Sequence, residues 1–290
     1  MAPTTGDPTM HKPPPPEPRM DPETSRAWKR GVQPMERMKT GIAGLDAMLQ
    51  GGFLPQTANL VEGAPGTGKS VLGMQFIYNG IVHYDEPGLI LTFETFPRQY
   101  YRDALNFGWD FRQLERENRL RILMSSPEVS KADLEQLGGM IEGLVDEMGA
   151  RRILVDSLSH FERLTDDPVE LRGLVYSFIN GLKREGLTAV LTRESPAILG
   201  EGLFADEDES IAFVVDSYIL LRYVEMDSAV HRALLVLKLR GSDHAKEIRR
   251  FEITASGIRV MDTFKGREGI MSGSPRRMPE AFIEAFIRHP

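Results

Sequence analysis

The stretch Gly63-Ala64-Pro65-Gly66-Thr67-Gly68-Lys69-Ser70 decides the fold of this chain. It follows the pattern Gly-x-x-x-x-Gly-Lys-Ser, in which glycines allow backbone N–H groups to turn inward and surround phosphate groups. A short apolar strand precedes it at 58–62. A helix follows from Val71 and directs its N-terminal dipole at the same anion. The alternative, an ordinary glycine-rich turn, is disfavoured by these flanking elements.

The sequence therefore predicts a P-loop that binds ATP. We expect Lys69 to reach the β- and γ-phosphates and the Ser70 hydroxyl to hold Mg²⁺. The residues of this segment that we predict to contact the nucleotide are Gly63, Ala64, Pro65, Gly66, Thr67, Gly68, Lys69, Ser70 and Val71.

A carboxylate is expected beside Ser70, because Mg²⁺ prefers oxygen ligands of this kind. Ile153-Leu154-Val155 is an apolar run that ends in Asp156, which is the Walker B pattern. Apolar strands often end in Asp, but the position of this one after a P-loop favours Asp156 as the second metal ligand.

Hydrolysis of ATP requires a group that positions or deprotonates water. Glu94 follows the apolar run 89–93, and the carboxyl ends of strands in such sheets face the ligand crevice. We therefore predict Glu94 as this group, with an acid on a surface loop as the alternative interpretation. Glu62 is the weaker candidate, because it directly precedes the P-loop.

Strands alternate with helices on both sides of the P-loop, which predicts an α/β fold with a mostly parallel sheet flanked by helices. After Ser217 the pattern predicts a C-terminal antiparallel β extension that completes the sheet. The predicted strands are 58–62, 89–93, 152–156, 187–192, 218–224, 232–240, 250–254 and 258–261. Helical spacing of apolar residues is found at 71–78, at 134–145 and after the capping pair Asp167-Pro168.

The two ends of the chain differ from its middle. Nine of the 19 prolines lie at or before Pro34, so residues 1–38 are predicted to be a disordered Pro-rich arm. The ordered domain is predicted at 39–265, and 266–290 as a tail with a short amphipathic helix at 279–289. The helix is expected to pack on its own domain. The alternative is that the tail or the arm docks a signalling protein.

Composition restricts the function further. The chain has 290 residues, a formal net charge of -7 and no cysteines, which excludes disulfides and thiolate metal sites and argues against a role mainly in nucleic-acid binding. No apolar run reaches the roughly 20 residues that span a bilayer. We expect a cytoplasmic protein without a membrane partner.

Several further motifs carry a family resemblance. They include Thr40-Gly41-Ile42, Gly44-Leu45-Asp46, Phe93-Glu94, Phe107-Gly108, Asp156-Ser157-Leu158-Ser159, Leu221-Arg222-Tyr223-Val224-Glu225, Lys238-Leu239-Arg240-Gly241-Ser242 and Ser272-Gly273-Ser274-Pro275. From Lys39 to Arg277 the chain resembles a KaiC-type ATPase of the RecA superfamily of P-loop NTPases, with one KaiC domain.

The resemblance implies a RecA-like core and a homo-oligomeric ring, commonly a hexamer, with ATP held between neighbouring subunits. In that arrangement Lys238 and Arg240 reach the γ-phosphate of the neighbour, as an arginine finger does. Alternation along a strand places both side chains on one face and Leu239 toward the core. The resemblance also places the following residues at the nucleotide: Phe107, Lys238, Leu239, Arg240, Ser242, His244 and Lys246.

Two departures from the family pattern affect the predicted activity. The family often has two adjacent glutamates where this chain has Glu94-Thr95. The positions of the phosphorylated Ser-Thr pair are Ala212-Phe213, which argues against an autokinase. We predict an ATP-hydrolysing ring with a signalling role. The alternatives are a non-catalytic ATP-dependent assembly switch, a RecA-like recombination ATPase that binds DNA, and a serine/threonine autokinase.

Overall fold

The computed structural model describes residues 36–136, 139–195 and 209–264, with residues 267–268 and 276–277. The predicted terminal helix at 279–289, the motif 272–275 and nearly all of the predicted arm lie outside these ranges. The arm boundary needs a correction of two residues. Met38 is buried and exchanges backbone hydrogen bonds with Phe53, and the Arg37 guanidinium donates to Gly52 O at 2.9 Å.

One nine-stranded sheet organises the domain. Its strands are β1 Ala58–Gly63, β2 Gly88–Thr92, β3 Leu120–Met124, β4 Arg152–Asp156, β5 Thr188–Glu194, β6 Ser217–Met226, β7 Ala229–Leu239, β8 Arg249–Thr254 and β9 Gly257–Thr263. Their order in the sheet is β3-β2-β4-β5-β1-β6-β7-β8-β9. The strands from β3 to β6 in this order run parallel, and β7, β8 and β9 are added antiparallel. The predicted mostly parallel sheet with an antiparallel extension is therefore confirmed. Two short strands, β10 Arg267–Glu268 and β11 Arg276–Arg277, pair separately.

Helices cover both faces of the sheet. Residues of β1, β2 and β4 are buried on both faces, which explains their continuous apolar runs. The helices are α1 Leu45–Met48, α2 Lys69–Tyr84, α3 Pro97–Leu105, α4 Phe111–Arg116, α5 Pro127–Glu135, α6 Met140–Met148, α7 Pro168–Arg184 and α8 Glu209–Val214, with a 3₁₀ helix at Leu158–Arg163. One apolar core lies beneath α2 and another beneath α7.

The apolar pattern at 134–145 belongs to two helices and not to one. Helix α5 ends at Glu135, and Gln136 is extended. The Asp133 carboxylate accepts from Met140 N–H at 2.6 Å and Ile141 N–H at 2.9 Å, so it caps the start of α6. The helical spacing survives the break because the two helices bury apolar residues in the same core.

The start of α7 is formed as its sequence predicts. The Asp167 side chain accepts from Val169 N–H at 2.9 Å, and Pro168 occupies the first turn, where its missing N–H costs no hydrogen bond. Across the ranges given above, no helix combines the length and apolar character that crossing a membrane requires.

The antiparallel extension is fastened to the helix that follows the P-loop. The Gln75 side chain of α2 accepts from Ile258 N–H at 2.6 Å and donates to Ile258 O at 3.2 Å. A Cβ on Gly257 would lie 2.7 Å from the Trp109 ring. Strands β8 and β9 are thereby held against the start of α2, which brings Ile253 beside the P-loop.

Candidate nucleotide-binding site

An open pocket lies at the carboxyl ends of β1, β2, β4 and β5. Parallel sheets of this kind bind ligands at this edge. The pocket brings together most of the P-loop with Glu94 and Asp156, as the sequence predicts. Its lining residues are Pro65, Gly66, Gly68, Lys69, Ser70, Val71, Glu94, Thr95, Asp156, Ser157, His160, Glu194 and Ile253.

The P-loop backbone fits a phosphate group. Gly66 and Gly68 adopt φ values of 77° and 112°, which L side chains rarely adopt. A Cβ on Gly66 would lie 2.8 Å from the Tyr223 hydroxyl. Gly68 begins α2 without a side-chain cap, so the first N–H groups of the helix are left to a ligand.

Among the described residues that line this pocket, Lys69 is the one lysine or arginine. Its ammonium group is buried and donates to Gly63 O at 2.8 Å and Ala64 O at 3.1 Å. Burial lowers the pKa of Lys69, and the nearby carboxylates of Glu194, Asp156 and Glu62 oppose that shift. An anionic phosphate would favour the charged form of Lys69 in the same way.

Asp156 is fixed in place by two hydroxyl groups. Tyr100 of α3 donates to its Oδ2 at 2.7 Å, and the Thr192 hydroxyl of β5 donates to its Oδ1. Burial, followed by the Asp156 charge, raises the pKa of Tyr100, so the phenol remains a donor. The carboxylate of Asp156 and the hydroxyl of Ser70 line one pocket, and this pair of oxygen donors fits Mg²⁺.

Glu94 and Glu62 occupy different environments. The Glu94 side chain is 73% exposed, lines the pocket and lies 3.2 Å from Nε2 of His160. Glu62 is buried, pairs with Arg193 at 3.2 Å and does not line the pocket. Glu94 therefore lies at the pocket, whereas Glu62 is held in a buried ion pair.

Of the pocket residues that sequence reasoning missed, two carry ionisable side chains, His160 and Glu194. Glu194 ends β5, and the register of β5 with β1 places it beside Gly63. A sequence signal existed for Glu194, because it is an acid two residues after the predicted apolar strand 187–192. His160 lies on a 3₁₀ helix between the buried Leu158 and Phe161, and this apolar spacing indicates packing but not a polar site.

Lys238, Leu239 and Arg240 do not meet the P-loop within one chain. Leu239 is buried and pairs with Ser217 at the start of β6, whereas the P-loop follows the opposite end of β1. Lys238 Nζ donates to Val215 O at 2.7 Å, and Arg240 lies 3.4 Å from Asp216. Burial and then the Arg240 charge lower the pKa of Lys238, against the opposing effect of Asp216.

The other residues that the resemblance placed at the nucleotide also lie away from the pocket of their own chain. Ser242 accepts from the Arg37 guanidinium, His244 contacts Ala245 O and Lys246 pairs with Asp243 at 3.6 Å. The Phe107 ring lies 4.8 Å from that of Trp109 and packs on the apolar core beneath α2.

A P-loop at the carboxyl edge of a mostly parallel sheet, facing a carboxylate at the end of β4, defines a P-loop NTPase with a RecA-like core. The family model described as "ATPase: KaiC" matches residues 38–265. The chain belongs to this KaiC ATPase family.

Curated proteins agree with this assignment. The chain is 34% identical to the circadian clock protein KaiC3 of Synechocystis sp. over 248 residues, which are 86% of this chain and 48% of the relative. It is 35% identical to the circadian clock oscillator protein KaiC of Synechococcus elongatus over 242 residues, 83% of this chain and 46% of the relative. The chain thus spans about half the length of these relatives.

Proposed function

We propose that this chain binds Mg-ATP and hydrolyses it at sites between the subunits of a ring. The observation that carries the proposal is the convergence of Lys69, Ser70, Asp156 and Glu94 on one pocket. Lys69 and the P-loop amides hold the phosphates, and Glu94 positions or deprotonates the attacking water. Ser70 and Asp156 hold Mg²⁺, which supplies Lewis-acid stabilisation of charge on the phosphate oxygens.

We propose a ring because Lys69 is the one lysine or arginine that the described part of the chain brings to its own P-loop pocket. Phosphoryl transfer commonly requires a second cation at the γ-phosphate. The Arg240 side chain is 58% exposed at the other end of the sheet, so it is accessible to a neighbouring subunit. The family resemblance supports a hexamer in which Lys238 and Arg240 complete the neighbour's site. Phe107, Ser242, His244 and Lys246 would also face that shared nucleotide.

Phosphate release from Mg-ATP tests the proposal. The unaltered chain should hydrolyse ATP, Lys69→Ala should lose both binding and hydrolysis, and Glu94→Gln should bind ATP but hydrolyse it only at a low residual rate. Equal phosphate release by the unaltered chain and Lys69→Ala would contradict the proposal.

An ATP-dependent assembly switch without turnover is the second candidate. The exposed Glu94 and the replacement of a second acid by Thr95 favour it. In this case ATP should increase particle size by light scattering equally in the unaltered chain and in Glu94→Gln, and phosphate release should be negligible in both.

A signalling or timing role is proposed from the named roles of the relatives in circadian clocks. An autokinase is disfavoured because Ala212 and Phe213 carry no hydroxyl, and incubation with γ-labelled ATP should leave the protein unlabelled. A recombination role would require binding of single-stranded DNA with a steep salt dependence, which we do not expect from a chain with net charge -7.

A further inference from the structure

We infer that His160 is a positioning residue that holds the Glu94 carboxylate at the P-loop pocket. The inference rests on the proposed hydrolysis of ATP, for which Glu94 is the water-positioning acid. The structure assigns the role to His160 through its contact with Glu94 and through the way the histidine itself is held.

The contact joins a restrained side chain to an unrestrained one. Nε2 of His160 lies 3.2 Å from Oε2 of Glu94, and the two side chains are 11% and 73% exposed. An N–H at Nε2 can donate to a carboxylate oxygen in the protonated ring and in one neutral tautomer. Glu94 lies two residues beyond the end of β2, and its exposed carboxylate contacts His160.

His160 is held by the 3₁₀ helix that carries it. On one side, the Ser159 hydroxyl accepts from Glu194 N–H at 2.9 Å. On the other side, Arg193 donates to Glu162 at 2.9 Å. Both partners belong to β5, so the helix is fastened to the sheet directly before and shortly after His160.

Aromatic contacts complete this support. The fully buried Phe161 ring lies 5.8 Å from Phe93 and 5.0 Å from Phe178. The ring centroids of His160 and Phe93 lie 6.1 Å apart in a T-shaped arrangement. Because Phe93 directly precedes Glu94, the imidazole and the carboxylate are oriented by one shared neighbour.

The charges of the pocket explain why Glu94 needs such a partner. Asp156 and Glu194 line the same pocket and repel a third carboxylate, whereas Lys69 donates to P-loop carbonyls. Thr95 occupies the position of a second acid and adds no cation. A donor at His160 therefore opposes the outward displacement of Glu94 toward solvent.

The test compares two replacements of His160. His160→Gln keeps an N–H donor that can reach Glu94, and His160→Leu has similar size without a donor. We expect His160→Leu to lower kcat for ATP hydrolysis about tenfold or more with KM nearly unchanged, because small misplacements of a catalytic group are costly. His160→Gln should recover most of the rate, and both variants should melt near the unaltered chain.

A double-mutant cycle with Glu94→Gln separates the possible results. If His160 acts through Glu94, His160→Leu should add little to the loss in Glu94→Gln. Losses of kcat that multiply in the double mutant would overturn the inference. An unchanged kcat in His160→Leu, or equal losses of kcat in His160→Leu and His160→Gln, would also overturn it. If Glu94→Gln alone hydrolyses ATP normally, the proposed role of Glu94 fails first, and the role of His160 fails with it.

Discussion

The phenol of Tyr100 donates a hydrogen bond of 2.7 Å to the carboxylate of Asp156. Because residues behind a metal ligand fix its orientation, Tyr100→Phe should weaken Mg²⁺ binding about tenfold. The measurement is the Mg²⁺ concentration that gives half of the maximal ATP hydrolysis rate. Tyr101→Phe is the control, since the adjacent phenol bonds Glu115 of α4, away from the pocket. An equal Mg²⁺ requirement in the two variants would refute the role of Tyr100.

Gly66→Ala should reduce ATP affinity about tenfold, because the residue is left-handed and L side chains cost roughly 1–2 kcal/mol there. The added Cβ would also meet the Tyr223 hydroxyl at 2.8 Å. Affinity can be measured with a fluorescent ATP analogue. Gly173→Ala on the exposed face of α7, where a Cβ meets nothing within 4 Å, should leave affinity unchanged. It should raise the free energy of unfolding by about 0.5–1 kcal/mol. Unchanged affinity in Gly66→Ala would contradict the proposed phosphate cradle.

Asp216→Ala should lower the free energy of unfolding by about 1–3 kcal/mol, because it leaves the buried Ala58 N–H without its acceptor. The nearly buried carboxylate accepts from Ala58 N–H at 2.9 Å and pairs with Lys183 of α7. Urea unfolding followed by circular dichroism measures the change. Asp103→Ala, which removes the surface pair with Arg102, should have almost no effect. Similar losses in both variants would show that burial of Asp216 is not decisive.

Active sites should reappear when two inactive variants are mixed. Arg240→Ala keeps an intact P-loop and Lys69→Ala keeps an intact Arg240, so a mixed ring contains interfaces with both groups. Random mixing in equal amounts should restore about a quarter of the sites if Arg240 acts on the neighbour. Phosphate release before and after subunit exchange measures the recovery. Mixing Lys69→Ala with Asp156→Ala, both defective on the P-loop side, should restore nothing. Failure of the first mixture would argue against shared sites.

The sheet and the P-loop side of the pocket were predictable because their signals are local. Asp156 ends an apolar run, and Ser70 belongs to a contiguous motif whose geometry is set by its own glycines. The edge strand β3 was missed because Arg121 interrupts its short apolar run. The break between α5 and α6 was missed because Asp133 acts across seven residues to cap the second helix.

The supporting residues of the pocket could not be predicted for a different reason. Tyr100 and Thr192 hold Asp156, and His160 lines the pocket. These three residues come from elements that are distant in sequence. Their approach depends on strand order, in which β4 lies between β2 and β5. An apolar pattern indicates which face of an element is buried. It does not indicate which polar side chains come together at the edge of the sheet.

The attachment of Ile258 to Gln75 limits how this domain can be divided in protein engineering. A chimera that exchanged only the parallel strands would keep the whole phosphate motif but replace the wall that Ile253 contributes to the pocket. The smallest transplantable module therefore extends through β9. A donor segment cut after β7 would carry the sequence signature of the site without the full shape of its pocket.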